Sequence, residues 1–253
     1  GERDADTFTN DQHKNLRADY ILANPPFNIK DWGGNKLRDD VRWKFGTPPI
    51  GNANYAWIQH MISKLSPSGT AGFVMANGTM STSSGGEDEI RKKIVEAGLV
   101  DCIVTMPTNL FYTTSIPVCL WFLAKNRIEP RNRTNEILFI DARKIGTMVT
   151  RKHRELSDDE IKHIADTYHN WKKGTNYQDI TGFCKATSLD EVRSHEYILT
   201  PGRYIGIEEA AQDSEPFDEK MTRLTSELAE LFVKSHHLED EIRTQLKKVG
   251  YEF

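Results

Sequence analysis

The feature that most constrains this chain is a short apolar run, Ala18 to Ala23 (ADYILA), that stops at Asn24-Pro25-Pro26-Phe27. Proline lacks an amide hydrogen, fixes its own φ, and pushes the residue before it out of helical conformation. A run closed in this way predicts a buried strand ending in a stiff loop. The same alternation continues downstream. Apolar residues from Asn54 to Leu65 fall at helical spacing until Ser66-Pro67-Ser68-Gly69 stops them. Thr70 to Ala76 predicts a second strand, Glu87 to Ala97 a helix closed by Gly98, and Leu99 to Met106 a third strand. Pro117 to Ala124 and Ile137 to Asp141 predict a fourth and a fifth. Strands alternating with helices predict an α/β fold, with a mostly parallel sheet covered on both faces. The link between strands three and four is too short for a usual parallel crossover, so that pair is expected to be antiparallel.

Beyond Asp158 the sequence turns polar and helical in pattern, which divides the chain into a sheet domain, 1–157, and a helical C-terminal region, 158–253, suited to partner contact. From Phe217 apolar residues recur at heptad spacing: Phe217, Leu224, Leu231 and Leu238 in one series, Met221, Leu228, Ile242 and Val249 in the other. The pattern predicts a coiled-coil-like seam or a helical hairpin broken near Ser235-His236-His237.

The formal net charge of −4 argues against a general basic surface for nucleic acid. The charge is uneven, however. Gly206 to Phe253 carries about twice as many acids as bases, whereas the rest is slightly positive, and this points to two surfaces with different partners. Basic residues cluster at Lys125, Arg127, Arg131 and Arg133, and again at Arg143, Lys144, Arg151, Lys152 and Arg154. Cys102, Cys119 and Cys184 have no ligand-like spacing, so neither a disulfide framework nor a metal site is expected. No apolar run approaches the roughly 20 residues that span a bilayer, and the expected location is the cytoplasm.

Asn24 to Phe27 is the segment that carries chemistry. A conjugated exocyclic amine such as that of adenine is a poor nucleophile, because its lone pair is delocalised into the ring. Two hydrogen-bond acceptors aimed at the amine hydrogens draw the lone pair out as the nitrogen attacks a sulfonium methyl. The side-chain oxygen of Asn24 and the backbone carbonyl of Pro25 are such acceptors, and Pro25 and Pro26 hold them in place. Phe27 offers a face on which an extruded base stacks, and extrusion is required because the amine is paired in a duplex.

With these residues in view, the chain resembles the modification subunits of type I restriction-modification systems. The similarity runs through ADYILANPPF (18–27), GNANYAWIQH (51–60), GTAGFVMANG (69–78), LVDCIVTMPTNLFYTTSIP (99–117), LFIDAR (138–143) and RYI (203–205). The resemblance implies a Rossmann-like seven-stranded sheet in which Pro117 to Ala124 is the reversed strand. It implies adenine-N6 methylation of double-stranded DNA with S-adenosylmethionine as cofactor and a flipped adenine as target. It also implies assembly with a specificity subunit, a second modification subunit and a restriction subunit. Asp6, in Ala5-Asp6-Thr7-Phe8, matches the acid that accepts a hydrogen bond from the cofactor's adenine amine, and Asn24 also faces the cofactor. Phe111, in Asn109-Leu110-Phe111-Tyr112, matches an aromatic that helps enclose the flipped base.

The chain departs from that family in one respect. No Gly-x-Gly turn precedes Asp6, and the family's N-terminal helical region is missing. Either the chain is a fragment of a longer protein, or the cofactor-binding half lies on another polypeptide; alone it is expected to be incomplete as an enzyme. Asn-Pro-Pro-aromatic loops also serve enzymes that methylate rRNA guanine amines or protein glutamines, and a non-catalytic assembly module is a third reading.

Overall fold

The computed structural model describes residues 5–112, 114–207 and 216–251. Two units separate, Gly1–Ile207 and Glu208–Phe253. In the first, β1 (Ala18–Ala23), β2 (Leu65–Ala76), β3 (Val100–Thr105), β4 (Val118–Ala124), β5 (Glu136–Asp141) and, after the two-residue hairpin strands β6 (Thr147–Met148) and β7 (Arg154–Glu155), β8 (Cys184–Ser188) are the strands. All but β6 and β7 form one mixed sheet in the order β1-β2-β4-β3-β5-β8. The predicted strands therefore form, and β4 pairs antiparallel with both β2 and β3, as the short link requires. β1, β2, β3 and β5 share one direction.

Two features differ from the sequence reading. A second reversed strand, β8, pairs with β5, and it lies inside the stretch assigned to the helical extension. Its sequence, CKATS, has neither the apolar run nor the strict alternation that identifies a strand: its two buried residues, Cys184 and Thr187, are three apart and one is polar. As a result the compact unit extends to Ile207 rather than stopping at residue 157.

The faces of the sheet are covered by different elements. On one side pack α1 (Asn54–Lys64), α2 (Glu87–Glu96) and α4 (Leu189–Ser194), through Ile58, Ile62, Ile94 and Val192 against Phe73, Ile103, Trp121 and Phe139. Tyr204 of the RYI block stacks on Phe139 at 4.1 Å and 11°, which ties the end of the unit to β5. On the other side lies α3 (Asp158–Lys173), which brings Ile164, Tyr168 and Trp171 onto Val104, Leu138 and Ile140. A capping box starts α3: Ser157 accepts from the Glu160 amide while Glu160 accepts from the Ser157 amide. β3 is buried at every residue, the reason it reads as an unbroken run rather than an alternating one.

The basic cluster at 125–133 is structural. Asp101 on β3 is fully buried and receives Arg127 Nε at 2.9 Å, Arg133 Nε at 3.3 Å and the Tyr168 hydroxyl at 2.7 Å. Arg127 also donates to the Gly98 and Glu136 carbonyls, and Lys125 to that of Leu65. What the sequence presents as a charged loop is thus wrapped into the ends of β3, β4 and β5. Cys102, Cys119 and Cys184 are buried and unpaired, and burial pushes the Cys119 thiol up to about 12.

β1 is the exception to this coverage. Ile21 and Ala23 pack on the core, but Tyr20 and Leu22, pointing to the opposite face, are 83% and 89% exposed. Among the described residues nothing pairs with the outer edge of β1.

The second unit is α5 (Phe217–Lys248), one continuous helix of 32 residues. It runs straight through Ser235-His236-His237, because no glycine or proline interrupts it, and this excludes the hairpin alternative. No residue of α5 is buried, and both heptad series are exposed. No helix among the described residues is long and apolar enough to cross a membrane.

Candidate active site

Because β1, β2, β3 and β5 are parallel, their carboxyl ends lie at one end of the sheet, where an open α/β sheet binds ligands. Asn24-Pro25-Pro26-Phe27 leaves β1 at that end. Pro25 is buried and anchors the loop; Asn24 and Pro26 are exposed, and Phe27 is half-buried. The side chain of Asn24 has no hydrogen-bond partner among the described residues.

A reciprocal pair of amides fixes the far end of the loop. Asn28, in left-handed conformation at φ 56°, donates its backbone N–H to Asn54 Oδ1 at 2.9 Å, and Asn54 Nδ2 donates to Asn28 Oδ1 at 2.9 Å. Asn54 is 3% exposed and opens α1, while the Ala53 amide donates to the Ile29 carbonyl. The loop is therefore bolted to the start of a buried helix, which explains the block GNANYAWIQH in structural terms. Sequence reasoning missed Asn28 and Asn54 as a pair. The signal was two asparagines flanking the motif and the helix, with nothing in their spacing to link them.

Asn54→Leu removes both reciprocal bonds with little change in volume. Asn28 then loses its restraint, and the loop samples other conformations. The expected result is a loop that opens more often, seen as amide hydrogen exchange about tenfold or more faster at Asn28 and Ile29, with the folding transition of the sheet retained. Hydrogen-exchange mass spectrometry and thermal denaturation check both halves.

The loop after β3 brings the second predicted aromatic to the first. Phe111 meets Phe27 edge to face, with ring centroids 6.4 Å apart at 67°. Both rings, with Leu110, Ile145 and Leu156, pack against the apolar cluster that holds Val104, Met106 and Ile140. The rings form a corner and not a slot, so one ring face at a time is presented to a planar ligand.

Asp6 begins a turn ahead of β1 that is closed by its bridge to Asn10. Its Oδ1 accepts from the Phe8 amide at 3.0 Å, the Thr9 amide at 2.7 Å and the Thr9 hydroxyl at 2.8 Å. The Thr9 amide above all holds this carboxyl below the usual carboxylate range. Phe8 beside it is buried against Trp57 at 4.3 Å and Trp32 at 5.2 Å. Arg42 braces the segment by donating to the carbonyls of Thr7 at 2.8 Å and Phe8 at 2.6 Å, and it is itself paired with Asp40 at 2.8 Å. Asp6 is thus an ionised acid on a fixed turn, a fit for a hydrogen-bond donor such as an adenine amine, with Oδ2 outside those three bonds. Nothing in the sequence singles out Arg42.

A mixed sheet of this order, with a polar-Pro-Pro-aromatic loop at the carboxyl end of a parallel strand, is that of a Rossmann-like methyltransferase. The type I restriction-modification methyltransferase subunit of Streptococcus thermophilus superposes with a TM-score of 0.69 at 29% identity, over 79% of this chain and 41% of that one. The EcoKI M protein shares the fold, with a TM-score of 0.58 at 17% identity over 98% and 56%. The chain belongs to the N-6 DNA methylase family, whose model matches residues 1–213. It is 49% identical over 252 residues to the type I restriction enzyme HindI methylase subunit of Haemophilus influenzae, covering 100% of this chain and 56% of the relative. It is 38% identical over 254 residues to the MjaIX methylase subunit of Methanocaldococcus jannaschii, covering 97% and 45%. The chain thus spans about half the length of the curated relatives it matches.

Proposed function

We propose that this chain is the catalytic-loop half of an adenine-N6 DNA methyltransferase, the modification subunit of a type I restriction-modification system acting in the cytoplasm. The observation that carries the reading is the placement of Asn24, its acceptor unengaged, at the carboxyl end of β1, on a loop whose aromatic Phe27 meets Phe111. S-adenosylmethionine, when bound, supplies an electrophilic methyl group on a sulfonium sulfur. Asn24 Oδ1 and the Pro25 carbonyl accept the two N6 hydrogens of a flipped adenine. These two acceptors would stabilise the positive charge that grows on N6 as it takes up the methyl group, and one N6 proton would then pass to solvent water. Phe27, with Phe111 at its edge, provides the stacking surface for the extruded base. Asp6 orients the cofactor's adenine. Incorporation of labelled methyl groups into duplex DNA, ribosomal RNA and protein by the full-length enzyme tests the substrate: label in N6-methyladenine supports the reading, and label in guanine or glutamine overturns it.

The remaining cofactor contacts belong to residues outside this chain. The open edge of β1 and the bare Tyr20 and Leu22 beside it support this, because an unpaired parallel edge with exposed apolar side chains is where further strands add. Backbone amides of a glycine-rich turn ordinarily anchor such cofactors, and their absence removes most of the binding energy. Calorimetry on this chain alone should therefore show no tight binding of S-adenosylmethionine, and a micromolar Kd would overturn the half-site reading.

A further inference from the structure

Four residues of the second basic cluster fall into two groups in the structure. Arg143 is paired with Asp141 at 2.5 Å, and Arg154 donates to the carbonyls of Ile145 at 3.0 Å and Gly146 at 2.9 Å. These two hold the root of a hairpin. Arg151 and Lys152, at its tip, are exposed and have no ion-pair partner among the described residues.

The root is rigid and is built beside the candidate active site. The hairpin follows the carboxyl end of β5, with Ala142 N–H donating to the Thr105 carbonyl at 2.9 Å. Gly146, at φ +82°, donates to Glu160 Oε1 at 2.6 Å, so the turn into β6 is pinned to the start of α3. A side chain at Gly146 would meet the Glu155 carbonyl at 2.9 Å, so the turn needs glycine. Ile145 and Leu156 at the root share a cluster with Phe27 and Phe111. At the tip, the Thr150 hydroxyl accepts from the amides of Lys152 at 3.2 Å and His153 at 3.0 Å.

Three contacts join this hairpin to the loop that carries Phe111. The Arg154 amide donates to the Asn109 carbonyl at 2.8 Å, and Asn109 Nδ2 donates to the Lys152 carbonyl at 3.1 Å. Tyr112, 86% exposed, stacks on His153 at 4.2 Å and 19°. His153 in turn faces Glu155 at 3.4 Å, the one acid on the hairpin strands.

We propose that the hairpin from Gly146 to Glu155 is a backbone-phosphate contact for duplex DNA, with Arg151 and Lys152 as its charged tip and Asn109 and Tyr112 coupling it to the base-contacting loop. A chain with a net charge of −4 meets a polyanion through local patches, and here Arg151 and Lys152, exposed and without an ion-pair partner among the described residues, stand on a hairpin bonded to the loop that carries Phe111. Phosphate contacts of this kind set register and carry no sequence information. The proposal rests on the DNA-methylation reading above.

The test compares the assembled full-length enzyme with its Arg151→Ala/Lys152→Ala variant, binding a short duplex of mixed sequence across a salt titration. Each phosphate contact contributes about 0.9 to the slope of log K against log salt, so the variant's slope should be shallower by about 1.8. The wild-type advantage should then shrink roughly tenfold between about 50 and 200 mM salt. Arg151→Lys/Lys152→Arg, which keeps both charges, should restore the slope. A variant whose slope matches wild type overturns the hairpin contact, whether or not methylation is intact. The underlying reading fails differently: a wild-type enzyme that puts no methyl group on duplex adenine removes it, and leaves the salt comparison to decide the hairpin.

Discussion

Asn24→Ala should lower single-turnover methylation by the complete enzyme by about a hundred- to a thousand-fold, the usual cost of one preorganised acceptor needed only as charge develops. DNA affinity should scarcely change, because Asn24 is an exposed loop residue whose proposed partner is the amine of a base already extruded. Phe27→Ala should act at an earlier step. It removes a stacking face that contributes roughly 1–3 kcal/mol for an unpaired base, so capture of the flipped adenine weakens. Phe27→Trp and Phe27→Tyr should restore capture. The fluorescence of 2-aminopurine at the target position reports unstacking and separates the two effects. Normal methylation by Asn24→Ala would remove the chemistry from this loop. Unchanged signals in Phe27→Ala would leave that ring as packing against Phe111 and nothing more.

The two variants differ in what the rest of the structure does for them. Asn24 is held from behind, by buried Pro25 and by the Asn28–Asn54 pair, so its removal leaves the loop backbone in place. Phe27 is half-buried and meets Phe111 edge to face, so its truncation also loosens Phe111. An effect on base capture from Phe111→Ala close to that from Phe27→Ala is the consequence.

What was legible in the sequence is what depends on local pattern. ADYILA followed by two prolines identifies β1 and its loop because burial and φ restriction are both properties of consecutive residues. The reversal of β4 follows from the length of the link alone. Legibility ends where partners are distant. Asn28 and Asn54 meet across 26 residues, and Arg127, Arg133 and Tyr168 converge on Asp101 from separate segments. The 125–133 cluster resembles a solvated face in sequence, yet Arg127 and Arg133 are 2% and 0% exposed. β8 escaped for a related reason: CKATS forms a strand because β5 offers it an edge, not because of its own residues. The seam of α5 was visible in full, but its continuity was not decided until the structure showed helix through Ser235.

That helix carries the second large effect. Over 32 residues α5 extends about 48 Å and buries none of its side chains, while Leu224, Leu228 and Leu231 are 41%, 50% and 60% exposed. An apolar stripe of this length is unfavourable in water and is stabilised when it enters a partner's groove. The proposed partner is the specificity subunit's helices, and the acidic balance of Gly206 to Phe253 favours a partner surface that is basic around an apolar seam. Each buried leucine at such a seam contributes roughly 1.5–3 kcal/mol, and a carboxylate in its place adds a desolvation cost. Leu224→Asp/Leu231→Asp should therefore weaken the complex by more than about a hundredfold, enough to abolish co-purification. The sheet unit, Gly1–Ile207, should keep its folding transition, since neither leucine belongs to its core. Co-expression with affinity capture on the specificity subunit reads the first outcome and thermal denaturation reads the second. A complex that survives both substitutions excludes the stripe as the interface. A lost sheet transition would instead make α5 part of the domain's own packing.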